Sequence, residues 1–164
     1  MDLEATLADL APRLLRYCVG TVGDPSLGED VAQEALAALV GRWRRHGPPQ
    51  SADAFVFTVA RRKVHRTLWK RRLLEPLEAV FGHASPDPDP EEDALRKDDL
   101  ALTLRGLDRL PAREREALVL VAGGELSTAG AAEVLGISRS ALKMRVHRAR
   151  QRLHAFLENH HETP

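Results

Sequence analysis

Cations recur through LSTAGAAEVLGISRSALKMRVHRARQRL, residues 126–153, at Arg139, Lys143, Arg145, Arg148, Arg150 and Arg152. Guanidinium and ammonium groups neutralise phosphates, and an Arg fork donates to two guanine acceptors at once. The surrounding residues supply a scaffold for that chemistry. Ser127 and Ser138 are of the type that caps a helix N-terminus through a side-chain oxygen. Gly136 stands between them, where a left-handed turn is cheap only for glycine. Ala132, Leu135, Ile137, Leu142, Val146, Ala149 and Leu153 are spaced to pack two short helices together. Ser138, Arg139, Ser140, Lys143, Arg145 and Arg148 are then the candidate contacts to a DNA major groove.

Two upstream segments also offer binding chemistry. GEDVAQEALAALVGRW, residues 28–43, puts Asp30, Gln33, Glu34 and Ala37 on one face, opposite Val31, Ala35, Leu39 and Trp43. FVFTVARRKVHRTLWKRR, residues 55–72, repeats Arg62, Arg66 and Lys70 at i+4, with Arg61, His65 and Trp69 as the next row. Cations attract a phosphate backbone and aromatic faces stack on unpaired bases. Taken singly, Phe55, Phe57 and Trp69 are expected in the core, because aromatics bury large apolar area.

Helices must position these groups. Aromatics make up only 4% of the chain, so the core is built from Leu, Val and Ala, which favours helix. Expected helices cover residues 3–21, 28–44, 51–72, 98–110, 112–122, 127–135 and 138–158, with a break at 23–26 and a loop at 46–49. Pro111 is expected in the first turn of the fifth. No strand and no internal repeat is expected. Residues 1–74 carry 12 Lys/Arg against 8 Asp/Glu, a balance of +4; residues 75–99 carry 2 against 9, or −7; residues 100–164 carry 10 against 7, or +3. The net charge of zero therefore conceals two basic blocks around an acidic connector. HASPDPDPEED, within that connector, is too polar to fold alone and reads as a flexible linker.

Several classes fall away. No apolar run approaches the roughly 20 residues of a membrane span, and the N-terminus lacks the basic-then-apolar order of a secretion signal. Cys18 is a lone cysteine in an apolar pattern, which suits a buried residue in a cytosolic protein. His147, His154, His160 and His161 have no fixed metal-ligand spacing, and no nucleotide-binding glycine loop, nucleophile elbow or HExxH helix occurs. No metal ligand, cofactor or catalytic residue is assigned.

PRLLRYC, GEDVAQEAL and FVFTVARRK, followed by LPAREREALVLVAGG and the helix-turn-helix, resemble the extracytoplasmic-function (ECF) subfamily of sigma-70 family RNA polymerase sigma factors over about residues 5–157. The resemblance implies an all-α fold of two small helical domains. A sigma region 2-like bundle would span 1–74 and a sigma region 4-like helix-turn-helix domain 100–158. An acidic linker at 75–99 would join them, and a flexible tail would follow from 159. It implies promoter-directed initiation with no catalysis of its own. The implied partners are the bacterial polymerase core, at its largest-subunit clamp helices and flap, promoter DNA, and an anti-sigma factor, with no membrane insertion and a nucleoid location. Asp30, Gln33 and Glu34 would dock on the clamp helices. Arg44, Arg45, Phe55, Arg61, Arg62, Arg66 and Trp69 would melt and hold the −10 element. Ser138, Arg139, Ser140, Lys143, Arg145 and Arg148 would read the −35 element.

This chain departs from the family pattern. Ala52 and Phe55 stand near positions where the family often has an aromatic and Trp, Arg62 and Arg66 where Asn and Asp are common, and Gly130 where Glu is frequent. The extra arginines would grip a strand with less base preference. Two rival expectations are a stand-alone dimeric regulator, and a protein that occupies the clamp without opening promoters.

Overall fold

The computed structural model describes the backbone of residues 2–81 and 94–161, and side chains over 2–74 and 98–160. Helices α1 (Leu3–Val22), α2 (Pro25–His46) and α3 (Ala52–Phe81) form the N-terminal half; α4 (Ala94–Asp108), α5 (Ala112–Ala122), α6 (Thr128–Leu135) and α7 (Arg139–His161) form the C-terminal half. No strand occurs among the described residues.

Local chemistry sets the ends of the first three helices. Asp2 caps α1 by accepting from the Glu4 and Ala5 N–H groups. Asp24 caps α2 through the Leu27 N–H at 2.9 Å, with Pro25 in the first turn. The break after α1 is thus shorter than residues 23–26 suggest, because the Asp-Pro pair opens the next helix. Ser51 caps α3 through the Ala54 N–H at 3.1 Å.

Leu10, Leu14, Tyr17 and Cys18 of α1, Val31, Ala35 and Leu39 of α2, and Val56, Phe57, Ala60 and Val64 of α3 are buried together. Tyr17 and Phe57 meet edge to face, with ring centroids 5.6 Å apart. In the C-terminal half Leu118, Leu120, Ala131, Ala132, Leu135, Leu142, Val146 and Ala149 form the buried stripe of α5–α7. Pro111 precedes α5 as its N-cap instead of lying inside its first turn.

Three further expectations change. α3 continues to Phe81 and α4 begins at Ala94, so helix enters the expected linker 75–99 from both ends: LLEPLEAVF keeps helix-forming residues despite Pro76. HASPDPDPEED lies outside the described residues. α7 runs past Glu158 to His161, where His160 stacks on Phe156 at 4.1 Å and its Nδ1 lies 2.8 Å from the Phe156 carbonyl oxygen. Finally, Trp69 is not a core residue; it is 63% exposed, beyond the last fully buried turn of α3 at Val64.

The two halves also pack against each other. α5 and α4 lie on α1, and α6 lies on the start of α3. At Gly20 of α1 a Cβ would stand 2.8 Å from Val119 of α5, and at Gly124 one would stand 2.8 Å from Phe57 of α3. Both glycines allow an approach closer than any side chain permits.

Candidate nucleic-acid and polymerase interfaces

The helix-turn-helix is built as its residues dictate. Ser127 accepts from the Gly130 N–H at 3.1 Å, which caps α6. Gly136 turns the chain at φ 65°, ψ 37°, and its N–H closes back on α6. Ser138 accepts from the Ala141 N–H at 3.1 Å and so caps α7. Burial of Leu142, Val146 and Ala149 fixes the rotation of α7. That rotation leaves Ser138, Arg139, Ser140, Lys143 and Arg148 exposed and Arg145 half-buried. Arg152 turns back instead: its Nε lies 3.3 Å from the buried Glu114 carboxylate. That cation serves the fold.

On α2, Asp30, Gln33 and Glu34 are exposed, while Val31, Ala32, Ala35 and Leu39 face inward. Gln33 donates to Glu29 at 3.2 Å, and Lys63 of α3 reaches Glu34 at 2.5 Å. The Lys63 hydrogen bond and charge hold the Glu34 carboxyl below its ordinary range. The result is an acidic and amide-bearing face suited to a basic partner.

The cations of α3 divide into two rows. Arg62, Arg66, Trp69 and Lys70 are exposed, and Arg44 and Arg45 are exposed at the end of α2. Cations in that last turn also complement the helix dipole. Phe55 is half-buried against the core, and Ala52 is buried. Arg61 and His65 turn the other way, toward α5. Arg61 Nε donates to Glu116 Oε1 at 2.9 Å, His65 Nε2 lies 2.9 Å from the same oxygen, and the Tyr17 hydroxyl approaches it at 3.4 Å. Burial, then the Glu116 charge, push the Tyr17 hydroxyl well above its ordinary pKa.

This seam extends along α5. Arg13 donates to the Gly124 carbonyl at 3.1 Å, and Arg16 to that of Gly123 at 2.9 Å. Arg16 also pairs with Glu125. Cations thereby meet the negative end of α5. Arg13 further binds Asp53 at 2.5 Å, which ties the start of α3 to the same joint. The sequence reading found neither Glu116 nor the glycine pair. The signal is weak, because Glu114 and Glu116 alternate with Arg113 and Arg115 ahead of ALVLV and look like solvated charges until α5 is packed.

Comparison with known proteins agrees with this geometry. Residues 7–73 match the family model Sigma-70 region 2, and residues 101–153 match Sigma-70, region 4. The chain is 35% identical to the ECF RNA polymerase sigma factor SigD of Mycobacterium tuberculosis, covering 92% of this chain and 74% of that protein. It is 36% identical to the ECF RNA polymerase sigma factor ShbA of Streptomyces griseus, covering 96% and 90%. The sigma factor RpoE of Bartonella quintana, solved in complex with the anti-sigma factor NepR, superposes with TM-score 0.73 at 25% identity, over 94% of this chain and 96% of that one. CnrH, solved with the cytosolic domain of CnrY, shares the fold at TM-score 0.69.

Proposed function

That the chain belongs to the ECF subfamily of RNA polymerase sigma factors is the premise from which we propose how its surfaces work. The protein directs promoter-specific transcription initiation by RNA polymerase. In the proposed division of labour it carries no polymerising site and lends the core enzyme its promoter contacts. Asp30, Gln33 and Glu34 dock on the clamp helices. Arg44, Arg45, Arg62, Arg66 and Trp69 hold the opened −10 strand, cations on phosphate and the indole on a base. Ser138, Arg139, Ser140, Lys143, Arg145 and Arg148 enter the major groove at −35. The observation that carries this reading is the conjunction, in one chain, of an exposed acidic face on α2 with a capped, cation-bearing helix α7.

The geometry adds a requirement. Elements centred at −10 and −35 lie about 25 base pairs apart, roughly 85 Å at about 3.4 Å per step. A chain of this length packed as one body is only about 40 Å across. Residues 82–93 could bridge up to about 40 Å more when extended. Promoter binding on the core enzyme therefore opens the α1–α5 seam, and residues 1–74 and 100–158 act as separate bodies on the DNA. The linker between them follows the RNA exit path, where its acidic residues suit a basic channel.

A separate anti-sigma factor restrains the protein, as NepR is seen bound to the Bartonella relative. No described helix is long and apolar enough to cross a membrane, and the site of action is the nucleoid. Permanganate reactivity of promoter thymines tests the proposal. Holoenzyme assembled with this chain exposes thymines near −10, and Arg62→Ala with Arg66→Ala reduces that exposure. Unchanged opening in the double variant overturns the role given to α3.

A further inference from the structure

Glu116 stands on α5, yet its three polar partners all belong to the other half of the chain: Tyr17 on α1, and Arg61 and His65 on α3. Its side chain is 9% exposed, whereas those of Arg61 and His65 are 31% and 49% exposed. One carboxylate oxygen thus sits 2.9 Å from a guanidinium nitrogen and 2.9 Å from an imidazole nitrogen. A nucleic-acid phosphate oxygen would make the same charge-assisted contacts. The neighbouring residues of the helix, Arg62, Arg66 and Trp69, are exposed and unobstructed by α5. α5 is held in register by Val119 against Gly20 and by the two arginines on its terminal carbonyls.

We propose that Glu116 is a built-in competitor for the nucleic-acid strand: in the closed molecule its carboxylate occupies Arg61 and His65, and opening of the seam returns both cations to the strand-binding row of α3. This rests on the reading of α3 as the strand-binding helix. It explains a division that the sequence does not, since Arg61 and Arg62 are adjacent, yet Arg61 is bound to Glu116 while Arg62 is exposed and pairs with no side chain among the described residues. It also gives the isolated protein a low affinity for single strands, so that its strand-binding helix is not consumed by stray nucleic acid.

The test uses the full chain without polymerase. Anisotropy of a fluorescein-labelled single strand of about 12 nucleotides, within the usual range of a single-strand site, reports affinity at fixed salt. Small-angle scattering reports the radius of gyration, about 15 Å for one packed body of this size. Glu116→Gln is expected to tighten binding about tenfold and to enlarge the radius, in line with losing charge-assisted contacts across the seam. Tyr17→Phe, which keeps the ring in the core, is expected to tighten binding about threefold for one lost hydrogen bond. Glu133→Gln removes an exposed charge elsewhere on the C-terminal half and is expected to change affinity by less than about twofold. Arg61→Ala placed in the Glu116→Gln chain returns affinity to the wild-type level. Equal tightening in Glu133→Gln and Glu116→Gln overturns the proposal, because general charge then explains the gain. An unchanged radius in Glu116→Gln overturns the latch alone. An enlarged radius with unchanged affinity overturns the competition together with the reading of α3.

Discussion

Gly20→Ala probes the seam from its apolar side. An added Cβ would lie 2.8 Å from Val119 Cγ1, 3.3 Å from Cγ2 and 3.6 Å from Leu107 Cδ1. Carbon atoms are at their best near about 3.5 Å, so α5 retreats by roughly 0.7 Å or Val119 leaves its rotamer. A retreat of that size takes the Arg61–Glu116 hydrogen bond from 2.9 Å to about 3.6 Å, beyond useful range. Overpacking of this kind costs about 1–3 kcal/mol. Alanine gains about 1 kcal/mol over glycine within a helix, but that gain is common to closed and open forms and cancels between them. The closed form is therefore disfavoured by about 5- to 150-fold relative to the open one, while α1–α3 become harder to unfold. Dyes on Ser26→Cys in α2 and Gln151→Cys in α7, both exposed, read the distance by energy transfer. Cys18 does not interfere, because burial pushes its thiol up to about 12 and conceals it. The expected result is a shift to longer distances with secondary structure intact. An unchanged distance distribution in Gly20→Ala would refute the account of the seam.

Other surfaces give separate tests. Lys143→Ala is expected to reduce the salt dependence of −35 duplex binding by about one unit of log–log slope, measured by anisotropy across a salt series. Ser138→Ala removes the cap of α7 and is expected to cost about 1 kcal/mol of stability in chemical denaturation. Lys63→Ala removes the group that depresses Glu34, so the Glu34 midpoint rises toward its ordinary value in an NMR titration. Because that midpoint is depressed in the folded state, the pair stabilises the fold above the ordinary carboxylate range and the contribution fades as pH falls through the folded midpoint. Cys18 is expected to resist a thiol reagent at pH 8 in the native protein and to react fully after denaturation, followed by absorbance.

What the sequence disclosed was local. Ser127, Gly136 and Ser138 set helix ends within a few residues of themselves, so the helix-turn-helix was readable with its exposed cations. The same holds for the acidic face of α2, because i+4 spacing alone puts Val31, Ala35 and Leu39 opposite Asp30 and Glu34. Contacts between distant segments were not readable. Glu116 resembles any surface charge in AREREAL until α5 is laid on α1 and α3. Gly20 and Gly124 resemble ordinary weak points until Val119 and Phe57 arrive. Trp69 misled because its size argues for burial, whereas the core of α3 ends a turn earlier. The −7 balance of residues 75–99 argued for a connector from residue 75 on, and the helix-forming residues of LLEPLEAVF carried α3 to Phe81.

The most direct measurement is 5′-end mapping of transcripts made by purified core polymerase on a genomic template, with and without this chain. The account predicts new transcripts that share a common −35 and −10 spacing upstream of their starts, and their loss with Arg139→Ala combined with Lys143→Ala. Stable binding to core enzyme with no new 5′ ends on any template would contradict it.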